Sequence, residues 1–296
     1  MLPLLCVLQP ASLTSTFGMH DLEPALYVKA YTAFAERRAA DRSCKLPFLD
    51  YKHYVLRAGR PVGVRNFFCR AAEDCARQII NEIHALRSFI QDARIWDVVV
   101  KEFAEREQFL LTVEFLEVAF IHAMSRPYAL KNRFIYSLAM LGTMYKARKG
   151  LARDVKPFEK CNYTSMLPLV QDWLRIDDLT DELANLNSEA FQQHSGGFRH
   201  KDHHRMPASI EVGLAPAARV WTDGGRIYLS NAVQDPIKVI DLLPALEQQY
   251  ECGCRCLDRF WKVVQQRETD WLKEPNQRVE RNADSAPRNP GRSLSD

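Results

Sequence analysis

The chain of 296 residues lacks the fingerprints of the common nucleotide and hydrolase sites. It contains no Walker loop, no glycine-rich dinucleotide turn, no Gly-x-Ser-x-Gly elbow and no His-Glu-x-x-His pair, so those chemistries are not written in local motifs. It lacks a strong charge of either sign. A formal net charge of +3 is too balanced to argue nucleic-acid binding from charge alone, and any phosphate site must be a local patch. It lacks an uninterrupted apolar run of membrane-spanning length, the nearest being Phe134 to Tyr145. The opening Met1–Leu8 has an apolar character, but no basic residue precedes it and Pro3 interrupts it, so it reads as an extension rather than a secretion signal. No internal repeat recurs at a fixed period.

Eight cysteines are present, five of them scattered through apolar, helical-looking stretches. A chain this long needs no covalent staples, which predicts reduced thiols in a cytoplasmic setting. With 47% hydrophobic residues the chain can bury a substantial core.

Helical periodicity dominates. The spacing predicts helices over 21–42, 66–91, 96–125, 128–148, 162–176 and 178–194, then a final helical region over 236–267. The expected core stripe of the second is Phe67, Ala71, Cys75, Ile79, Ile83 and Leu86. That of the third runs Val99, Phe103, Phe109, Val113, Leu116 and Phe120. Arg126-Pro127 marks the boundary between the third and fourth, because proline suits a first helical position. Pro47, Gly59, Pro61 and Gly63 punctuate a link after the first helix. Alternating residues around the turn signal Asp223-Gly224-Gly225 predict a short β-hairpin at about 209–231. The predicted class is therefore mainly α: a helical bundle with a short β-hairpin inserted before the last long helix. The predicted organisation is an N-terminal extension (1–20), one helical domain (21–271) and a disordered tail (272–296). The tail is too poor in apolar residues to offset its ordering entropy.

Several clusters can carry chemistry. The first is Arg199-His200-Lys201-Asp202-His203-His204, set off by Gly196-Gly197 before it and Pro207 after it. Arginine is a permanent cation whose planar fork fits phosphate oxygens, and histidine moves protons near neutral pH. On an ideal helix Arg199 and His204 point about 140° apart, so the two act together only at a helix end or bend. The bland alternative is a solvated helix end. A second cluster, Cys252-x-Cys254-x-Cys256, sits in a helical run where only Cys252 and Cys256 share a face, which disfavours zinc. A third, the acidic stretches Glu102/Glu105/Glu107 and Asp177/Asp178/Asp181/Glu182, lacks the Glu-x-x-His of a di-metal bundle. The predicted site uses no metal and no cofactor. Arg126, Lys131, Arg133, Lys146, Arg148, Lys149 and Arg153 make the fourth helix basic at both ends, either a phosphate-tracking face or a solvated one.

The segment Phe198–Arg205 resembles the signature of the HEPN superfamily (higher eukaryotes and prokaryotes nucleotide-binding domains): arginine, a polar residue, three of any kind, then histidine. The resemblance extends over about Asn66 to Arg267, with the six-residue motif as its specific part, and is similar to uncharacterised bacterial HEPN-like proteins. It implies an all-α bundle with the motif late in the helical set. It further implies a metal-independent endoribonuclease of toxin or phage-defence type, acting as a homodimer whose two motifs face one cleft, with RNA as substrate. An antitoxin or regulatory protein would be a further partner, and no membrane is involved. Carried over, Arg199 and His204 form the catalytic pair, His200 fills the polar second position, and Asp202 and His203 support them. The alternative within the same resemblance is a non-catalytic helical module that binds nucleotides or a protein.

Overall fold

The computed structural model describes residues 24–41, 46–56, 64–149, 162–195, 215–223, 226–234 and 237–273. These are mostly helical, as the periodicity predicts. The expected N-terminal extension (1–20) and residues 274–296 of the expected tail lie outside the described residues, whereas Leu272 and Lys273 continue the last helix.

The first helix, α1 (Pro24–Ala40), buries Ala30 and Phe34. A short 3-10 turn, Tyr51–Tyr54, follows in the link, and then α2 (Val64–Val100). Here the expected segmentation changes. Residues 66–91 and 96–100 belong to one helix, and the break comes at 101–104. There Glu107 Oε2 accepts the Ala104 N–H at 3.0 Å to start α3 (Glu105–Leu111). A π-helical turn at Thr112–Leu116 leads directly into α4 (Glu117–Arg148). The predicted boundary at Arg126-Pro127 is absent, and Pro127 is buried inside α4. Neighbouring contacts hold the helix together through it: Arg126 bonds Glu82 of α2 at 2.9 Å and lies over the Phe89 ring, and Ser125 Oγ donates to His122 O at 2.9 Å. Tertiary packing overrides proline's local preference at this position.

The π turn and the break at 101–104 also reset the apolar register. Phe109 and Val113, expected on the core stripe, are 52% and 42% exposed, whereas Leu116 and Phe120 are buried. In α2 the stripe runs through Phe68 rather than Phe67, which is 69% exposed. Trp96 stacks between Phe34 and Phe115 at centroid distances of 4.4 and 4.5 Å, which locks α1 to α2 and to the π turn.

α5 (Tyr163–Val170) is capped by Asn162, whose Oδ1 accepts the Ser165 N–H at 2.9 Å. The expected helix 178–194 is two helices, α6 (Ile176–Asn185) and α7 (Glu189–His194), separated at Leu186–Ser188. The backbone of β1 (Ala215–Asp223) pairs antiparallel with β2 (Arg226–Gln234), with Asp223 opposite Arg226. Residues 209–214 lie outside the described set. The last helix, α8 (Val239–Lys273), passes through Pro244 and packs on α2, α4 and α6. Glu182 of α6 clamps it: the carboxylate, only 7% exposed, accepts from Arg255 at 3.0 Å and lies 3.2 Å from Arg259.

Among the described residues, Glu105–Arg148 is long and apolar enough to cross a membrane by length and composition. It packs against α2, α5 and α8, and fourteen of the α4 residues are buried there, as in a core helix.

Two helix glycines respond differently to an added methyl group. A Cβ at Gly142 would lie 2.9 Å from Leu169 Cβ and 3.0 Å from the Leu169 carbonyl oxygen, neither of which is a flexible tip. A Cβ at Gly253 meets the end of the Leu130 side chain at 2.7 Å, and that end can rotate away. Overpacking costs about 1–3 kcal/mol, and alanine's helix preference returns about 1 kcal/mol. Gly142→Ala is expected to lower the urea midpoint, and Gly253→Ala to leave it unchanged or raise it. Equal losses at both sites would contradict this difference in packing.

Candidate functional site

The expected site residues Arg199, His200, Asp202, His203 and His204 lie outside the described residues. The structure describes where the chain departs towards them. Ser195 is buried and its N–H bonds Phe191 O at 2.9 Å. His194 Nε2 lies 3.4 Å from Asp241 O, so the departure point is held against the start of α8. His194, Phe191, Asp241, Pro244 and Gln248 line a cavity of about 330 Å³ at this end.

Several of the other sequence candidates take part in packing. Glu102 pairs with Arg37, Glu107 caps α3, and Glu182 holds α8. Cys252 and Cys256 are buried in α8. The hydrogen bond with Cys252, together with burial, pushes the Cys256 thiol far up, and burial pushes Cys254 up to about 11. Cys254 and Cys256 are therefore protonated thiols, poor as metal ligands or nucleophiles. Among the described residues no group of three histidine, cysteine or acidic side chains is placed to hold a metal. Burial also lowers the Lys131 pKa, against the nearby Cys256 and Cys252. The basic fourth helix is largely engaged in packing: Arg126 with Glu82, Arg133 with Gln78 at 2.9 Å, and Lys146 with the Pro168 carbonyl. Those side chains do not form a free phosphate-tracking face. Arg153 lies outside the described residues.

A concave feature lies elsewhere, between the link 46–56 and the C-terminal half of α8. The link is pinned from both sides. The Arg87 guanidinium donates to Leu46 O at 2.8 Å, and the Leu56 N–H donates to Glu73 at 3.0 Å. Tyr54 OH donates to Asp258 of α8 at 3.0 Å, and Tyr250 OH donates to the Pro47 carbonyl. Asp50 accepts the Lys52 N–H at 2.9 Å and so starts the 3-10 turn. Burial, then the charge of Asp258, push the Tyr54 hydroxyl well above its usual value, so it stays a donor.

His84 fastens the link to α2. Phe48 stacks on its ring at 3.8 Å, and the Leu49 N–H donates to Nε2 at 3.1 Å. Nε2 is thus an acceptor. Nδ1 carries the proton and lies 3.3 Å from Tyr51 OH, which donates to Asn81 at 2.7 Å. Desolvation, with Arg87 adding repulsion, lowers the His84 pKa below its ordinary 6.5. The unfolded chain therefore binds this proton more readily than the folded one. The stability this ring contributes is present above pH 6.5 and is lost as pH falls through the lowered folded value. Denaturation midpoints at about pH 7.5 and pH 5.5 are expected to fall further in the wild type than in His84→Gln. Equal falls would show that the clasp does not depend on neutral His84.

Three cavities form a row along α8. Lys52, His53, Gln265 and Thr269 are among the residues lining one of about 690 Å³. Phe48, His53, Trp261, Lys262 and Gln265 help line the next, about 540 Å³. Arg175, Asp178, Arg259 and Lys262 line the third, about 260 Å³. His53 and Gln265 are common to the first two, and Lys262 to the last two, so the three adjoin along α8. The sequence reading passed over them because proline and glycine marked the link as a connection. The run Phe48-Leu49-Asp50-Tyr51-Lys52-His53-Tyr54, which mixes aromatic and cationic residues, was the available signal. No family model matches the chain, and neither curated proteins nor solved structures match it.

Proposed function

We propose that the chain is a metal-independent endoribonuclease of the HEPN type. The observation that carries the reading is the motif Arg199-His200-x-x-x-His204 in a mainly α bundle. Its place in the chain supports it: late in the helical set, between α7 and the ribbon that precedes the closing helix α8. In this reading the β-hairpin is an insert that frames the motif, and two protomers bring their motifs to one cleft. The setting is cytoplasmic, and a protein antitoxin or regulator restrains the activity.

Neutral His204 takes the proton of a ribose 2′-hydroxyl. The oxygen it frees attacks the adjacent phosphorus, the bond to the 5′ oxygen breaks, and that oxygen leaves with a proton from an acid or from water. Arg199 neutralises the charge that grows on the phosphoryl oxygens. The products are a 2′,3′-cyclic phosphate and a 5′-hydroxyl. His200, Asp202 and His203 orient the pair. The test is incubation of the purified full chain with a panel of structured and unstructured RNAs in EDTA. Cleavage is expected. Binding without cleavage would replace this reading with the non-catalytic module.

A further inference from the structure

We infer that the middle of the link, Phe48–Asp50, is a proton-operated strap, held against α2 while His84 is neutral and released when its ring takes up a second proton. The ends of the link are fixed differently from the middle. At one end Leu46 is buried, the Arg87 guanidinium donates to its carbonyl at 2.8 Å, and Tyr250 OH donates to that of Pro47. At the other end Tyr54 and Leu56 are buried, Tyr54 OH donates to Asp258 at 3.0 Å, and the Leu56 N–H donates to Glu73 at 3.0 Å. None of these bonds uses a histidine. The middle hangs on one: the Leu49 N–H donates to His84 Nε2 at 3.1 Å, and the exposed Phe48 stacks on the same ring at 3.8 Å. Tyr51 keeps its own bond to Asn81 at 2.7 Å, which limits the released part to Phe48–Asp50.

Protonation places an N–H on Nε2, where the Leu49 N–H already points. Donor then faces donor, and a half-buried amide loses its acceptor. Both groups find water once the segment lifts. The charges around the ring favour release. From α2, Arg87 repels a second cation, and its guanidinium already lies over the Phe48 ring at 5.6 Å, so an imidazolium gains little from that ring. The link itself carries Asp50, Tyr51, Lys52 and His53; Asp50 accepts the Lys52 N–H at 2.9 Å. From α8, Asp258 holds Tyr54 OH, and Lys262 lines the same cavity. Among the described residues no carboxylate bonds the His84 ring to offset the added charge. Phe48, Leu49 and Asp50 help line the cavity of about 540 Å³, with Trp261 and Gln265 of α8 among its other residues, so release widens that cavity in acid.

The experiment is residue-resolved amide hydrogen exchange of the full chain at about pH 7.5 and about pH 5.5, corrected for the intrinsic rate at each pH. Leu49 protection is expected to fall about tenfold in acid, because the released ring binds its proton near the ordinary 6.5 and the held ring binds it less readily. Leu56, whose amide is bonded to Glu73, is expected to keep its protection. His84→Gln supplies an amide oxygen that accepts from Leu49 at either pH and should remove the fall. His53→Gln, which removes the other histidine of this cavity, should retain it. Leu49 protection that does not change with pH in the wild type would overturn the inference. So would an equal fall at Leu56, which would mean a loosening of the whole fold, or a full fall in His84→Gln. The comparison of Leu49 with Leu56 is made within the wild type, so it decides the matter even if a variant does not fold.

Discussion

Phe260→Ala is expected to lower folding stability by about 3–5 kcal/mol, the cost of deleting a buried aromatic ring that its surroundings cannot replace. Phe260 is fully buried on α8, and its ring meets Phe134 of α4 edge-on, with centroids 6.0 Å apart. Both helices are held by other contacts, α8 by the Glu182 clamp and α4 by Arg126 with Glu82, so the void cannot close by sliding either helix. Phe260→Leu keeps most of the volume and should cost much less. The pair Phe260→Ala/Phe134→Ala should cost less than the sum of the singles, because each single already removes the ring–ring contact. Urea midpoints with unchanged slope measure all four. A loss under about 1 kcal/mol for Phe260→Ala would mean that the α4–α8 contact is not a rigid core.

The second large effect concerns activity. His204→Ala is expected to slow single-turnover RNA cleavage about 10²–10⁴-fold, the usual contribution of a positioned general base. Arg199→Ala should cost about 10²–10³-fold, comparable to removing one donor from an oxyanion site. Arg199→Lys should fall between, because it keeps the charge but loses the planar fork. The signature of a shared mechanism is that the double variant is hardly slower than the worse single. Fully multiplicative losses would indicate two groups acting separately. Circular dichroism of each variant checks that the fold is intact.

The helical class was readable because long stretches repeat apolar residues at three- and four-residue steps, and that signal survives errors in detail. Boundaries were less readable for particular reasons. Pro127 looked like a start because its local preference says so, but it is buried inside α4, and the Arg126–Glu82 bond beside it ties the helix to α2. The break at 101–104 has no glycine or proline, and depends on Glu107 capping Ala104. Phe67 and Phe68 are adjacent, so periodicity alone could not tell which faces the core; the contact of Phe68 with Trp173 decides it. Among the described residues Cys69, Cys75, Cys252, Cys254 and Cys256 are free thiols. The Arg199–His204 motif was visible as a local string. The α8 cleft was not, because its walls come from residues about two hundred positions apart and only the fold brings them together.

The most direct test of the proposed chemistry is the requirement for a 2′-hydroxyl. A single-stranded RNA and its all-deoxy counterpart would be incubated with the purified full chain in EDTA and the ends of the products identified. The account predicts that the RNA is cut to 2′,3′-cyclic phosphate and 5′-hydroxyl ends while the deoxy strand stays intact. Cleavage of both strands, 5′-phosphate ends, or no cleavage of any RNA would contradict it.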